Sequence, residues 1–132
     1  MTAVDTNVLV RFLIGDDGQQ AKKIYHLFKR AELENRHFVV PQHVVLELLW
    51  VLDAVYGISR QEILNSIKDL ILMPILKFES HSAIQQFLLA SQTSKLDLPD
   101  LLIAHSAKAL GCEKVLTFDR KASKHDLFYL VK

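Results

Sequence analysis

Five acidic residues stand where their types and spacing could do chemistry together: Asp5, Glu47, Asp97, Asp100 and Asp119. Asp5 follows Ala3-Val4, and Asp119 follows Val115-Leu116-Thr117-Phe118, so each is expected directly after a short apolar strand. If those strands are parallel neighbours, both carboxylates leave the sheet at one edge. Either one alone also reads as an ordinary strand-end turn residue. Glu47 is the single polar residue in Val44-Val45-Leu46-Glu47-Leu48-Leu49-Trp50-Val51-Leu52. A helix that is apolar nearly all round is largely buried, and a buried carboxylate needs a partner or takes up a proton. The other readings place Glu47 on a narrow solvent-facing stripe, or pair it with a core arginine such as Arg11. Asp97 and Asp100 flank a helix start predicted at Pro99, a residue suited to the first helical position. Asp97 reads first as a helix cap. Asp100 lies one turn further in, where a helix can present it to a shared site.

Three or four acids brought together repel one another and cannot all stay ionised without a cation. All-oxygen ligands suit Mg²⁺ or Mn²⁺. Such an ion lowers the pKa of bound water and stabilises a leaving oxygen, so phosphodiester hydrolysis is the chemistry this set supports.

Other constellations are weaker. His26, His37, His43, His81, His105 and His125 form no HxxxH pair, and Cys112, the one cysteine, lies in no metal-ligand pattern. They read as surface or packing residues, with His105 one turn beyond Asp100 and close enough to touch the rim of a site. There is no GxSxG elbow, no GxGxxG and no GxxxxGK[ST], so a serine hydrolase or a nucleotide cofactor is unsupported. Basic residues gather at Lys22, Lys23, Lys29 and Arg30, which read as a solvated helix face, and at Lys114, Arg120, Lys121 and Lys124. In the second group Arg120, Lys121 and Lys124 adjoin Asp119 and are expected to grip the phosphates of a phosphodiester substrate.

The elements that must position these residues alternate. Strands are predicted at Ala3-Val4, Phe38–Val40, Ile75–Phe78, Val115–Phe118 and Leu127–Val131. Helices are predicted from a Thr6 or Asn7 cap to Gly15, over Gln19–Leu33 and Val44–Tyr56, from the Ser59 cap to about Leu72, from Ser80 or Ser82, and over Pro99–Leu110. Strand–helix alternation implies right-handed crossovers. The expected fold is α/β: a single three-layer domain over residues 1–132, with a central, mainly parallel five-stranded sheet flanked by helices. Sites in such sheets lie beyond the carboxyl ends of the strands. The 132 residues, half of them apolar and 23% charged, suit one ordinary globular domain. No segment reaches the ~18 consecutive apolar residues of a membrane span. The N-terminus does not read as a secretory signal, which makes the cytoplasm the expected location. A net charge of +1 is low for a protein that coats phosphates without sequence preference. Helices over residues 44–56 and 63–76 hold more apolar surface than a small domain easily hides, and part of it suits a docking face.

Four blocks together resemble a known family. They are Ala3-Val4-Asp5-Thr6-Asn7-Val8-Leu9-Val10-Arg11, Val45-Leu46-Glu47-Leu48-Leu49-Trp50-Val51-Leu52, Asp97-Leu98-Pro99-Asp100-Leu101-Leu102-Ile103-Ala104 and Leu116-Thr117-Phe118-Asp119-Arg120. In that order, and over essentially the whole chain, they resemble PIN-domain ribonucleases, most of all the VapC toxins of toxin–antitoxin pairs. The resemblance implies a Mg²⁺- or Mn²⁺-dependent endoribonuclease whose acids map to Asp5, Glu47, Asp100 and Asp119, with Asp97 as an accessory acid. It implies that Thr6, Asn7 and Thr117 hold carboxylates or waters in place. It implies a VapB-type antitoxin that inserts a C-terminal segment near the site, and a homodimer. Leu98-Pro99 and His105 depart from the usual pattern without removing a ligand.

Two other classes compete. A signalling receiver domain has a similar length and alternation, but it needs paired acids after its first strand, where Asp5 stands alone. It also needs a buried strand before Asp97, where Ser91–Lys95 is polar. A dehalogenase-like phosphatase needs a second acid where Asn7 stands. A catalytically inactive PIN-like binding module would be marked by a lost acid, and none is lost.

Overall fold

A computed structural model describes residues 1–132, which divide into two compact units, Met1–Glu79 and Ser80–Lys132. The first unit runs β1 (Thr2–Ala3), α1 (Thr6–Ile14), α2 (Gly18–Leu33), β2 (Phe38–Val40), α3 (Gln42–Ala54), α4 (Arg60–Ile71) and β3 (Leu76–Phe78). Its strands form a parallel sheet in the order β1-β2-β3, with Thr2 opposite Phe38 and Phe38 opposite Leu76.

Local chemistry sets the limits of these helices. The Asp17 carboxylate accepts the Gln20 N–H at 3.1 Å and opens α2. Ser59 accepts the Glu62 N–H at 3.3 Å and opens α4, as its spacing predicts. Gly15 ends α1 in the left-handed region at φ 66°, where a Cβ would be strained, and its N–H reaches the Arg11 carbonyl. Helices α2, α3 and α4 each present an apolar stripe to one core, in which Leu9, Ala31, Val40, Leu48 and Ile67 are fully buried. Phe28 joins the layers, its ring 5.1 Å from Phe12 and 5.8 Å from Phe38.

The second unit runs α5 (His81–Ala90), α6 (Leu98–Ala109), β4 (Val115–Thr117), a 3-10 turn (Ala122–Lys124) and β5 (Phe128–Leu130). Helix α5 packs on α6 through Ile84, Phe87, Leu101 and Leu102, all buried. Strands β4 and β5 are parallel, with Leu116 opposite Tyr129.

Two expectations need correction. The strands form sheets of three and two rather than one central sheet of five. They are only two or three residues long, so each ladder has few hydrogen bonds with which to extend. Nor are all of them buried on both faces. Thr2 and Ala3 are exposed, and in the second unit Leu116, Phe118 and Tyr129 are 71%, 81% and 56% exposed. Side chains alternate across a strand. The Val115–Phe128 side is therefore covered, while the Leu116–Tyr129 side stands open.

Candidate functional site

Three of the five acids belong to the second unit, around the start of α6 and the end of β4. Asp97 occupies the N-cap position of α6, yet its side chain makes no capping hydrogen bond. Its Oδ1 instead lies 3.4 Å from Lys121 Nζ. The cap reading is therefore right about position and wrong about chemistry: the carboxylate meets Lys121 instead of the helix amides. Asp100 sits half-buried in the first turn of α6. Its carboxyl is pushed above the usual carboxylate range, first by burial and then by the negative charges of Asp97 and Asp119, against the opposing pull of Lys121. These three acids thus share one electrostatic neighbourhood.

Asp119 is built into a tight turn. The Thr117 hydroxyl oxygen accepts the Asp119 N–H at 3.0 Å, and Asp119 Oδ1 accepts the N–H groups of Lys121 (2.8 Å) and Ala122 (3.3 Å). One carboxylate oxygen holds the loop, which leaves Oδ2 for another ligand. Thr117 thereby steadies the backbone at Asp119.

In the first unit Asp5, rather than Thr6 or Asn7, caps α1: its Oδ1 accepts the Val8 N–H at 3.2 Å. Thr6 is buried, at 5% exposure, whereas Asp5 and Asn7 are open to solvent. Asp5, Asn7, Arg11, Gln20 and Lys23 line an open cavity of ≈ 330 Å³. Arg11 does not pair with Glu47. It is held by Asp16 at 3.2 Å, Gln20 at 2.8 Å and the Tyr56 hydroxyl at 3.0 Å.

Glu47 requires a correction. It is exposed rather than buried. Helix α3 buries Val44, Val45, Leu48, Leu49 and Leu52, and turns His43, Glu47, Trp50 and Ala54 to solvent. Trp50 is 59% exposed on that same stripe, which is why a composition that looked apolar all round misled.

The donor set is entirely oxygen, and Asp100 is raised first by burial and then by the charges of Asp97 and Asp119, which Lys121 only partly offsets. No three His, Cys, Asp or Glu side chains stand closely enough to hold an ion by themselves. The oxygen donors of Asp97, Asp100 and Asp119 are of the kind a hard divalent ion takes, and they do not form a closed protein cage.

A model of the PIN domain family matches residues 2–127. The chain belongs to the PIN domain family. This PIN domain is also similar to a protein named VapC ribonuclease from Aquifex aeolicus (strain VF5), at 24% identity over 124 residues, covering 94% of this chain and 91% of that protein. No solved structure matches. No helix of this PIN domain is long and apolar enough to cross a membrane.

Lys95 and His125 gave little sign of a role in the sequence, whereas Lys121 and Lys124 were expected near the acids. Lys95, Lys121, Lys124 and His125 line one cavity, whereas Arg120 is exposed outside it. Lys95 lies two residues before Asp97 in a polar stretch, which is the one signal that pointed to it. His105, expected at the surface or in a packing role, is 9% exposed, and neither ring nitrogen has a partner. Burial first, then Lys108 and His125, hold its pKa below the usual histidine range.

Proposed function

We propose that this PIN domain, spanning residues 1–132 as one nuclease module, is a Mg²⁺- or Mn²⁺-dependent endoribonuclease that hydrolyses RNA phosphodiester bonds. The observation that carries this reading is the meeting of three acids around Lys121: its Nζ lies 3.4 Å from Asp97, its N–H donates to Asp119 at 2.8 Å, and Asp100 stands in the first turn of the helix that Asp97 opens. Membership of the PIN domain family and the similarity to a VapC ribonuclease support it. Asp100 and Asp119, with Asp97 as accessory, would hold the ion in the second unit. Asp5 and Glu47 match the family's remaining acids. When bound, the ion supplies an activated water and neutralises charge on the leaving oxygen.

The chain's own residues do the rest. Asp119 offers Oδ2 because its Oδ1 is committed to the turn amides, so its orientation is set before any ligand arrives. Thr117 keeps that turn in register. Asp5 is fixed by its bond to the Val8 N–H, and Thr6 and Asn7 flank it. Lys121 balances part of the acid charge through Asp97 and, with Lys124 and Arg120, offers cations to the RNA backbone.

The same reading makes the protein the toxin of a VapBC-type pair, acting in the cytoplasm, with a VapB-type antitoxin and a second copy of itself as partners. Cleavage of a structured RNA with Mn²⁺ tests the chemistry. Wild type should cut, and Asp100→Asn and Asp119→Asn should each lose about a hundredfold or more, since metal charge stabilisation is worth several kcal/mol and each ~1.4 kcal/mol is tenfold. Equal rates in all three proteins would overturn the assignment.

A further inference from the structure

Beside the acids of the second unit lies a cavity of ≈ 220 Å³ whose polar lining is mainly cationic: Lys95, Lys121, Lys124 and His125, with Ser94 and Leu96 completing the wall. That is room enough for one tetrahedral oxyanion and part of its hydration. Lys121 is neutralised in part by Asp97, at 3.4 Å. Lys95 and Lys124 pair with no carboxylate, and both are exposed. His125 also lines the wall. Its Nδ1 accepts the Leu127 N–H at 3.1 Å, so the ring proton sits on Nε2. Ser94 Oγ accepts the Leu96 N–H at 3.1 Å, which shapes the loop carrying Lys95.

Two lysines with no carboxylate partner, a third shared with Asp97, and His125 are gathered along one cavity, and that concentration of cationic side chains makes an anion site. Lysine is a common binder of phosphate as a point charge. We infer that the Lys95–Lys121–Lys124–His125 cavity binds a backbone phosphate of the RNA, distinct from the phosphate at the acids. Lys121 belongs to both places: its N–H holds Asp119 and its Nζ meets Asp97. A phosphate seated among these lysines therefore registers the strand against the carboxylates. Arg120, although adjacent in sequence, stays outside the cavity. The nature of the ligand rests on the ribonuclease reading, whereas the anion site itself does not.

The test uses full-length Asp100→Asn protein without added metal, so that RNA is bound and not cut. Binding of a fluorescent single-stranded oligoribonucleotide is measured across a salt series, with and without the added pair Lys95→Gln and Lys124→Gln. Circular dichroism and melting check that the exposed substitutions leave the fold intact. The pair should weaken binding about tenfold or more and reduce the slope of log K against log salt by about 1.4, some 0.7 for each lost single-strand contact. Inorganic phosphate should shift the His125 ring signals in the NMR spectrum of the protein with both lysines, and not in the Lys95→Gln, Lys124→Gln protein. Unchanged affinity and slope, while wild type cleaves RNA with Mn²⁺, would overturn the phosphate cavity and leave the ribonuclease standing. A reduced slope with no Mn²⁺-dependent cleavage would remove the ribonuclease and leave an anion site. Polyglutamate that displaces RNA as effectively as phosphate does would overturn the assignment to phosphate.

Discussion

Asp100 is the residue whose environment is least comfortable. Its folded pKa lies above the ordinary carboxylate value because of burial and the charges of Asp97 and Asp119. The folded state therefore keeps this proton to a higher pH than the unfolded chain does. Its contribution to stability is intact below the unfolded value near 3.9 and is lost as pH rises through the folded value. Metal-free Asp100→Asn should consequently unfold at a higher urea concentration than wild type at pH 7 and show no such gain near pH 3. A variant less stable than wild type at pH 7 would refute this account. Asp5 behaves differently, because it caps α1. Asp5→Ala should cost about 1 kcal/mol, while Asp5→Asn, an equally good cap, should leave the urea midpoint nearly unchanged. A loss of cleavage in Asp5→Asn would then report on chemistry rather than folding. At this scale the sequence was a partial guide. Asp97, Asp100 and Asp119 were legible because each sits at a strand end or helix start, where turn chemistry leaves a mark. Glu47 was misread, because its neighbours describe the composition of the helix and not its direction. Only the packing of Val44, Val45, Leu48 and Leu49 shows which side faces inward.

Elements were read more faithfully than the residues they carry. Helix limits came within a few residues because Asp, Ser, Pro and Gly announce them locally: Asp17 and Ser59 accept N–H groups at their helix starts, and Gly15 adopts the left-handed turn. Ser59→Ala should lower stability by about 1 kcal/mol, seen as a shift in urea midpoint with an unchanged slope. The sheets were read less well, since pairing between strands of two or three residues depends on non-local geometry that no local pattern encodes. Helix α6 carries a second pH response. His105 is buried on it with no partner at either ring nitrogen, facing Lys108 on its own helix and His125 from the turn before β5. Its folded pKa is lowered, so the unfolded chain binds the proton first as pH falls below about 6.5. Its stability contribution is present above that pH and is lost as pH falls through the folded value. Wild type should therefore lose stability between pH 7 and pH 5, and His105→Leu should remove part of that dependence. Parallel pH curves for the two proteins would contradict this.

For the molecule as a whole, a ligand that binds only the folded state raises its stability by mass action. At a hundred times its Kd, Mn²⁺ would add about 2.7 kcal/mol, or about 10 °C in Tm for a chain of this size. Wild type should show that rise, Asp100→Asn should show much less, and EDTA should reverse it. An equal rise in both proteins would place the ion elsewhere. The net charge of +1 leaves little overall field to draw RNA in, so the local clusters of lysine must do the steering. The same near-neutral balance has a practical consequence through the uncovered side of the β4–β5 ladder. Leu116 and Tyr129 stand opposite each other there, with Phe118 two residues along the chain. Weak colloidal repulsion combined with exposed hydrocarbon means that purified samples should salt out early in ammonium sulfate, cling to phenyl resin and brighten an ANS solution. Replacing Leu116 and Tyr129 with threonine should delay precipitation while leaving the melting curve almost where it was.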